Sequence, residues 1–343
     1  MFYICPKCKR RWQYALTECP YCLVALDKNE AKGARVIGAV KVSISTLLHM
    51  NTPYHVLVLK DEAGNIWGYK SEKEYKIGDE FSVDVVTDKN AVAVWRVKYE
   101  TGEAISKVLD LIGGVDINGD SKIVILPTII SPSHAYFRDN TSPEFLSAVL
   151  QLLLDRGAKA QNIVVAAQSF GDIPVAASAQ KTGLIAAGMK FGVNALDLAT
   201  AEFVPAGQFQ VAKPVMEADL VIDLAMEKMG KAMACENLFQ IMKKENYLGQ
   251  KYLSSEAEIL AKLEPLLKNV VVIGEAEFVS RSNKITTFLG LVLAGRSAGN
   301  VDRIFNEATK SFKLPELIKD IDLDSIPVAG RTIKEVQYNA EIF

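Results

Sequence analysis

The 343-residue chain is poor in the side chains that most often carry chemistry, with three histidines, five cysteines and three tryptophans. After residue 22 the only cysteine is Cys235, which leaves no ligand set for an iron–sulfur cluster in the rest of the sequence. No tryptophan follows Trp95. No apolar run reaches the ~18–20 residues that a membrane span needs. A net charge of −2 supplies no field that would draw the protein to nucleic acid or to an anionic membrane. The chain does not open on a charged segment, an apolar core and a cleavage site, so a cytoplasmic protein is expected. Gly183, Gly188 and Gly192 form neither a P-loop nor a G-x-G-x-x-G turn, so ATP, NAD and flavin leave no signature.

Against these absences stand four cysteines close together, in Cys5-Pro6-Lys7-Cys8 and Cys19-Pro20-Tyr21-Cys22. Each C-x-x-C turn lets two thiolates approach one ion, and two such turns fill a tetrahedral shell with no open position. The spacing predicts one structural zinc ion, with iron, a disulfide or a redox pair ranked behind it. Lys7, Lys9, Arg10 and Arg11 are placed to steady the negative charge of the site. With 49% hydrophobic and 23% charged residues, the chain has apolar material for two cores beside this small module.

Residues 35–46, 54–60, 66–70, 80–86 and 91–99 read as five short strands separated by tight turns, among them Asp61-Glu62-Ala63-Gly64-Asn65 and Lys76-Ile77-Gly78-Asp79. That rhythm predicts a small closed barrel of the OB type. The cysteine ribbon, Gly38-Ala39-Val40 at the first strand and Lys76-Ile77-Gly78-Asp79 near the last together resemble the zinc-ribbon/OB family known as domain of unknown function 35. The resemblance spans about residues 1–100. It implies a binding or scaffolding module that serves a thiolase-like or other acyl-transfer enzyme, or acyl-CoA itself. Trp67, Tyr69, Trp95 and Tyr99 offer an alternative, a stacking surface for single-stranded nucleic acid, but basic residues are thinly interleaved among them.

From residue 121 the rhythm becomes α/β. Strands are expected at 122–126, 163–167, 193–198, 220–224, 270–273 and 289–293. Helices are expected at 142–156, 175–189, 232–243, 254–268, 300–310 and 315–321, which implies a mainly parallel sheet covered on both faces. The expected domains are a zinc ribbon (1–30), an OB barrel (31–100), a bridging helix and linker (101–120) and an α/β domain (121–343). Three stretches in the α/β part resemble the prokaryotic family domain of unknown function 362. They are Thr141-Ser142-Pro143-Glu144, Ala218-Asp219-Leu220-Val221-Ile222 with Asn237-Leu238-Phe239, and residues 290–302 with Asp302. The polar positions of that family's pattern are largely replaced here, by Leu126-Pro127-Thr128, Gln168-Ser169, Lys228-Met229-Gly230, Glu236 and Ser297-Ala298.

Ligands of parallel sheets collect at the carboxyl ends of the strands. His134 follows the first α/β strand and is the one imidazole of that part, with Arg138 four residues on. These two, with Asp223, Lys228 and Asn237, are the candidate ligand-binding residues. His49 and His55 fall in the barrel, and Cys235 among small apolar neighbours reads as a core thiol rather than a nucleophile. The expected function is a zinc-containing adaptor or ligand-binding protein with a degenerate α/β domain. The alternative is an enzyme working near His134, Asp223 and Lys228.

Overall fold

The computed structural model describes residues 2–12, 16–29, 33–45, 52–82, 85–98, 100–280, 286–311 and 313–338. The chain divides into two compact units, Met1–Asp84 and Val85–Phe343. In the first, β1 (Phe2–Ile4), β2 (Arg11–Trp12) and β3 (Asp27–Asn29) form an antiparallel sheet in the order β2-β1-β3. Strands β4 (Ala34–Val42), β5 (Tyr54–Asp61), β6 (Ile66–Ser71) and β7 (Glu80–Phe81) form a second antiparallel sheet, ordered β6-β5-β4-β7.

Alternation along β5 turns Leu57 and Leu59 inward, where they meet Val36 of β4 and are backed by Trp67, Tyr69, Tyr75 and Phe81. The Lys76–Asp79 turn is fastened to β4, because Val36 donates to the Asp79 carbonyl (2.9 Å) and Gly78 donates to the Val36 carbonyl (2.8 Å). Gly78 sits at φ +99°, a conformation that favours glycine. Among the described residues the four strands do not close into a barrel.

The expected fifth barrel strand is a strand of the other unit. There, β8 (Val92–Arg96) precedes α1 (Thr101–Leu111), β9 (Ile123–Pro127), α2 (Pro143–Asp155), β10 (Ile163–Ala167), α3 (Val175–Thr182), α4 (Leu184–Lys190) and β11 (Asn194–Asp197). A hairpin comes next, β12 (Phe203–Ala206) and β13 (Phe209–Ala212), then α5 (Lys213–Met216) and β14 (Leu220–Lys228). The rest comprises α6 (Met233–Leu238), α7 (Lys244–Leu253), α8 (Glu256–Leu263), β15 (Val270–Ser280), β16 (Thr286–Gly295), α9 (Ala298–Ala308), β17 (Val328–Gly330) and α10 (Ile333–Val336).

Eight of these strands form one sheet, ordered β11-β10-β9-β14-β15-β16-β8-β17. The run from β11 to β15 is parallel, β16 is antiparallel to both neighbours, and β17 is parallel to β8. Helices α1, α2 and α4 pack together on one face, and α6, α9 and α10 on the other. All five residues of β9 and the first eight of β14 are buried, as strands covered on both faces must be. No helix among the described residues is long and apolar enough to cross a membrane.

Local chemistry explains the element ends. Helix α2 begins where the Ser142 hydroxyl accepts from Phe145 N–H and Pro143 occupies the first turn. The expected helix at 175–189 is two helices, because Gly183 at φ +97° ends α3 and starts α4. Residues 315–321 make turns rather than the expected helix. The strand expected at 220–224 runs on to Lys228, and that extension places Glu227 inside the molecule.

Candidate metal centre and buried acid cluster

The two cysteine turns have the same backbone construction. Cys5 N–H donates to the Arg10 carbonyl (2.9 Å) as Cys19 N–H does to Val24 (2.8 Å), and Lys9 N–H donates to Cys5 as Leu23 N–H does to Cys19, both at 2.9 Å. Lys9 and Leu23, each directly after the second cysteine of its turn, share the left-handed conformation at φ +60° and +51°. Paired in this way, the turns bring the four Sγ atoms within 4.8 Å of one another. The Cys8 and Cys19 sulfurs are 3.8 Å apart, far longer than a disulfide. That spacing matches the edge of a tetrahedron with ~2.3 Å metal–sulfur bonds, roughly 3.8 Å. The donor set therefore fits one tetrahedral ion, such as zinc.

The Cys5 thiol sits at about 6, with burial opposing the shift and N–H groups of Cys8 and Lys7 and the neighbouring thiols overriding it. Cys22 is pushed up to about 12 by burial and by the other three sulfurs. Crowded thiols cannot all ionise unaided, and a bound divalent cation removes that obstacle by deprotonating its ligands.

In the second unit the five candidate residues fall into four separate groups. Arg138, left-handed at φ +54°, lies 3.5 Å from Glu275 of β15 and over the Phe278 ring at 4.9 Å. Lys228, at the end of β14, pairs with Asp139 at 3.2 Å. Both cations are thus neutralised by acids that the sequence reading did not single out. His134 is exposed, and its Nδ1 accepts the N–H of Tyr136 (3.2 Å), a turn-capping role. Asn140 holds this loop by accepting from Ile130 N–H (2.7 Å) and donating to the Ser131 carbonyl (2.7 Å). Glu275 also accepts from Ser142 N–H at the start of α2 (2.9 Å), and burial carries its carboxyl up to about 7 despite that bond and Arg138.

The remaining pair lies on the opposite face of the sheet. Alternation puts Asp223, Ala225 and Glu227 of β14 on the side of α6 and α9. Asn237 of α6 donates to Asp223 Oδ1 (2.6 Å) and to the Leu126 carbonyl (2.7 Å), while its own oxygen accepts from Gln240 (3.0 Å). From α9, Asp302 accepts the N–H groups of Ala234 (3.1 Å) and Cys235 (2.9 Å). Asp223, Glu227 and Asp302 are each 0% exposed.

Burial raises all three carboxyls, Asp302 to about 7 and the other two well above the usual carboxylate range, and each feels its acidic neighbours. Glu227 meets no hydrogen-bond donor with either oxygen, and its neighbour is the Asp302 carboxyl, which it can bond only through a shared proton. Burial likewise pushes the Cys235 thiol well up, with Asp302 adding to the shift, so it is no thiolate nucleophile. Sequence reasoning missed Glu227 and Glu275. Asp223 and Glu227 four apart in an otherwise apolar strand were the available signal.

In the first unit His55 lies on β5 with both ring nitrogens buried and without a partner among the described residues. His49 lies outside the described residues. The four aromatics read as a stacking row are divided between the two units. Trp67 packs on Phe2 (5.6 Å), Tyr69 packs on Phe81 (4.6 Å), Trp95 belongs to β8, and Tyr99 is outside the described residues.

Comparison with known proteins gives two results. A family model described as "Domain of unknown function (DUF362)" matches residues 123–306, the region that holds Asp223, Glu227, Asn237, Glu275 and Asp302. A solved structure titled "Ltp2-ChsH2(DUF35) aldolase" is similar at 20% identity and a TM-score of 0.21, covering 25% of this chain and 72% of that chain. No curated protein matches.

Proposed function

The chain belongs to the DUF362 family, and we propose that it is a zinc-binding adaptor or ligand-binding protein. One zinc ion holds the N-terminal ribbon, and the four-stranded sheet of the same unit, open among the described residues, is the OB-like module that goes with it. The observation that carries this reading is the convergence of four thiols within 4.8 Å, a closed shell with no place for substrate. Such a site stabilises a module rather than performing a reaction.

The module's partner, in this reading, is a thiolase-like or other acyl-transfer enzyme, or an acyl-CoA. Support comes from the sequence resemblance of residues 1–100. It also comes from Val40, Val56, Val58 and Ile66, apolar and exposed on β4, β5 and β6. Val40 and Val56 are paired across the ladder and so form one patch. The α/β unit supplies ligand contacts or an interface at its strand ends, where Tyr136 and Phe137 are also exposed.

Elemental analysis of the purified full-length protein is expected to give one zinc per chain, lost when Cys5 and Cys8 are both replaced by serine. Calorimetric titration with an acyl-CoA is expected to show binding that the cysteine variant loses. Zinc-free protein with an unchanged fold would overturn the first half of the proposal. Turnover of an acyl-CoA by the isolated protein would overturn the second in favour of an enzyme.

A further inference from the structure

The acid cluster on the α6/α9 face has no role in the ribbon, in the apolar patch or in the loop that carries Arg138. Its three carboxyls are fully buried, and among the described residues no lysine or arginine is paired with any of them. Burying carboxylates without a counter-charge is strongly unfavourable, so the cluster takes up positive charge from solution as protons or as a metal ion.

The oxygens distinguish the two. Asp302 is held by two backbone N–H groups and Asp223 Oδ1 by Asn237. Asp223 Oδ2 and both oxygens of Glu227 are buried and receive nothing. A proton shared between Glu227 and Asp302 engages one Glu227 oxygen and leaves the other, with Asp223 Oδ2, still unmatched.

The backbone also makes room for the Glu227 carboxylate. Gly274 lies beside Ala225 in the parallel pair of β14 and β15, and a Cβ there would sit 2.7 Å from Glu227 Oε1. Asn237 and the α6 N–H groups orient two of the three acids as outer-shell partners orient metal ligands. The donors are all oxygens, which suit hard cations as thiolates suit zinc.

We propose that Glu227, Asp302 and Asp223 form an internal site for a hard divalent cation of the Mg²⁺, Mn²⁺ or Ca²⁺ class. Among the described residues only the four cysteines already bring three or more ligand atoms together. The acid site closes through Glu227, whose oxygens accept from no donor group and whose one link is the proton shared with Asp302. Asp302 and Asp223 are the fixed members. Cation binding displaces the shared proton, and it ties β14 to α9 across α6.

The test is a titration of zinc-loaded full-length protein with Mn²⁺, following the free ion by electron paramagnetic resonance. One Mn²⁺ per chain is expected in addition to zinc, displaced by excess Mg²⁺ or Ca²⁺. Glu227→Gln and Asp223→Asn are each expected to weaken it at least tenfold while zinc content and helical circular dichroism stay unchanged. The amide introduced by Asp223→Asn keeps an acceptor for Asn237, and the amide of Glu227→Gln can donate to Asp302 in place of the shared proton, so both variants are expected to fold. Folded wild-type protein that takes up no Mn²⁺, or variants that bind it as tightly as wild type, would overturn the proposal and leave a proton-filled acid cluster.

Discussion

Leu23 holds the backbone at φ +51° while the residue is 76% exposed. The left-handed conformation costs an L-residue roughly 1–2 kcal/mol, and a side chain so exposed returns little by packing. Glycine removes that cost, less the extra entropy it loses on folding. Leu23→Gly is therefore expected to stabilise the zinc-loaded first unit by about 1 kcal/mol, some 4–8 °C in melting temperature for a unit of this size. Calorimetry of the full-length protein checks it, and a lowered melting temperature would show that the Leu23 side chain is packed after all. The four cysteines were legible in the sequence because their relation is local, two short turns in 18 residues. Glu275 and Glu227 were not, because their burial depends on which helix crosses each face. Asp302 could be placed on a helix from its pattern, but its contact with Ala234 and Cys235 spans more than 60 positions.

Helix α6 is only six residues long, and its first N–H groups are held by a carboxylate from α9 rather than by a cap of its own. This arrangement makes the second unit sensitive to pH. Asp302 and Glu275 both sit at about 7, raised chiefly by burial, against about 4 for carboxyls in an unfolded chain. The native state therefore holds protons that the unfolded state releases. The stability they contribute is fully present below pH ~4 and is lost as pH rises to about 7. Each such proton makes a slope of up to about 1.4 kcal/mol per pH unit.

Among the described residues every helix belongs to the second unit, so the urea midpoint at 222 nm reports on that unit. Without added divalent cation, the midpoint is expected to fall from pH 5 to pH 7.5, and Glu275→Gln to flatten the fall. A midpoint that rises over this range would contradict the direction of both shifts. The elements themselves were largely readable where apolar period and capping residues agree, as in α2 with Ser142 and Pro143. They failed at 315–321, where apolar spacing alone suggested a helix and the chain makes turns. They failed also at Gly183, where a left-handed residue divides one apolar stretch into two helices.

At the scale of the whole chain the sequence separates a tryptophan-containing β-rich part from an α/β part, but the last strand before residue 100 belongs to the α/β sheet. Strand β8 carries a β-type pattern that suits either sheet, and only its partners decide. It lies between β16 and β17, pairs from Val92 to Arg96 with β16, and its residues Val92, Ala93 and Val94 are each 0% exposed. Removing it would expose the edge of β16 and leave β17 without its ladder partner. A fragment beginning at residue 85 is expected to fold with a single cooperative transition, while one beginning at residue 101 is expected to aggregate or melt without cooperativity. Dispersed amide spectra and a sharp calorimetric peak for the longer fragment, both absent for the shorter one, are the outcome to look for. A fragment from residue 101 that folds as cooperatively as the longer one would mean that β8 is dispensable to the α/β sheet.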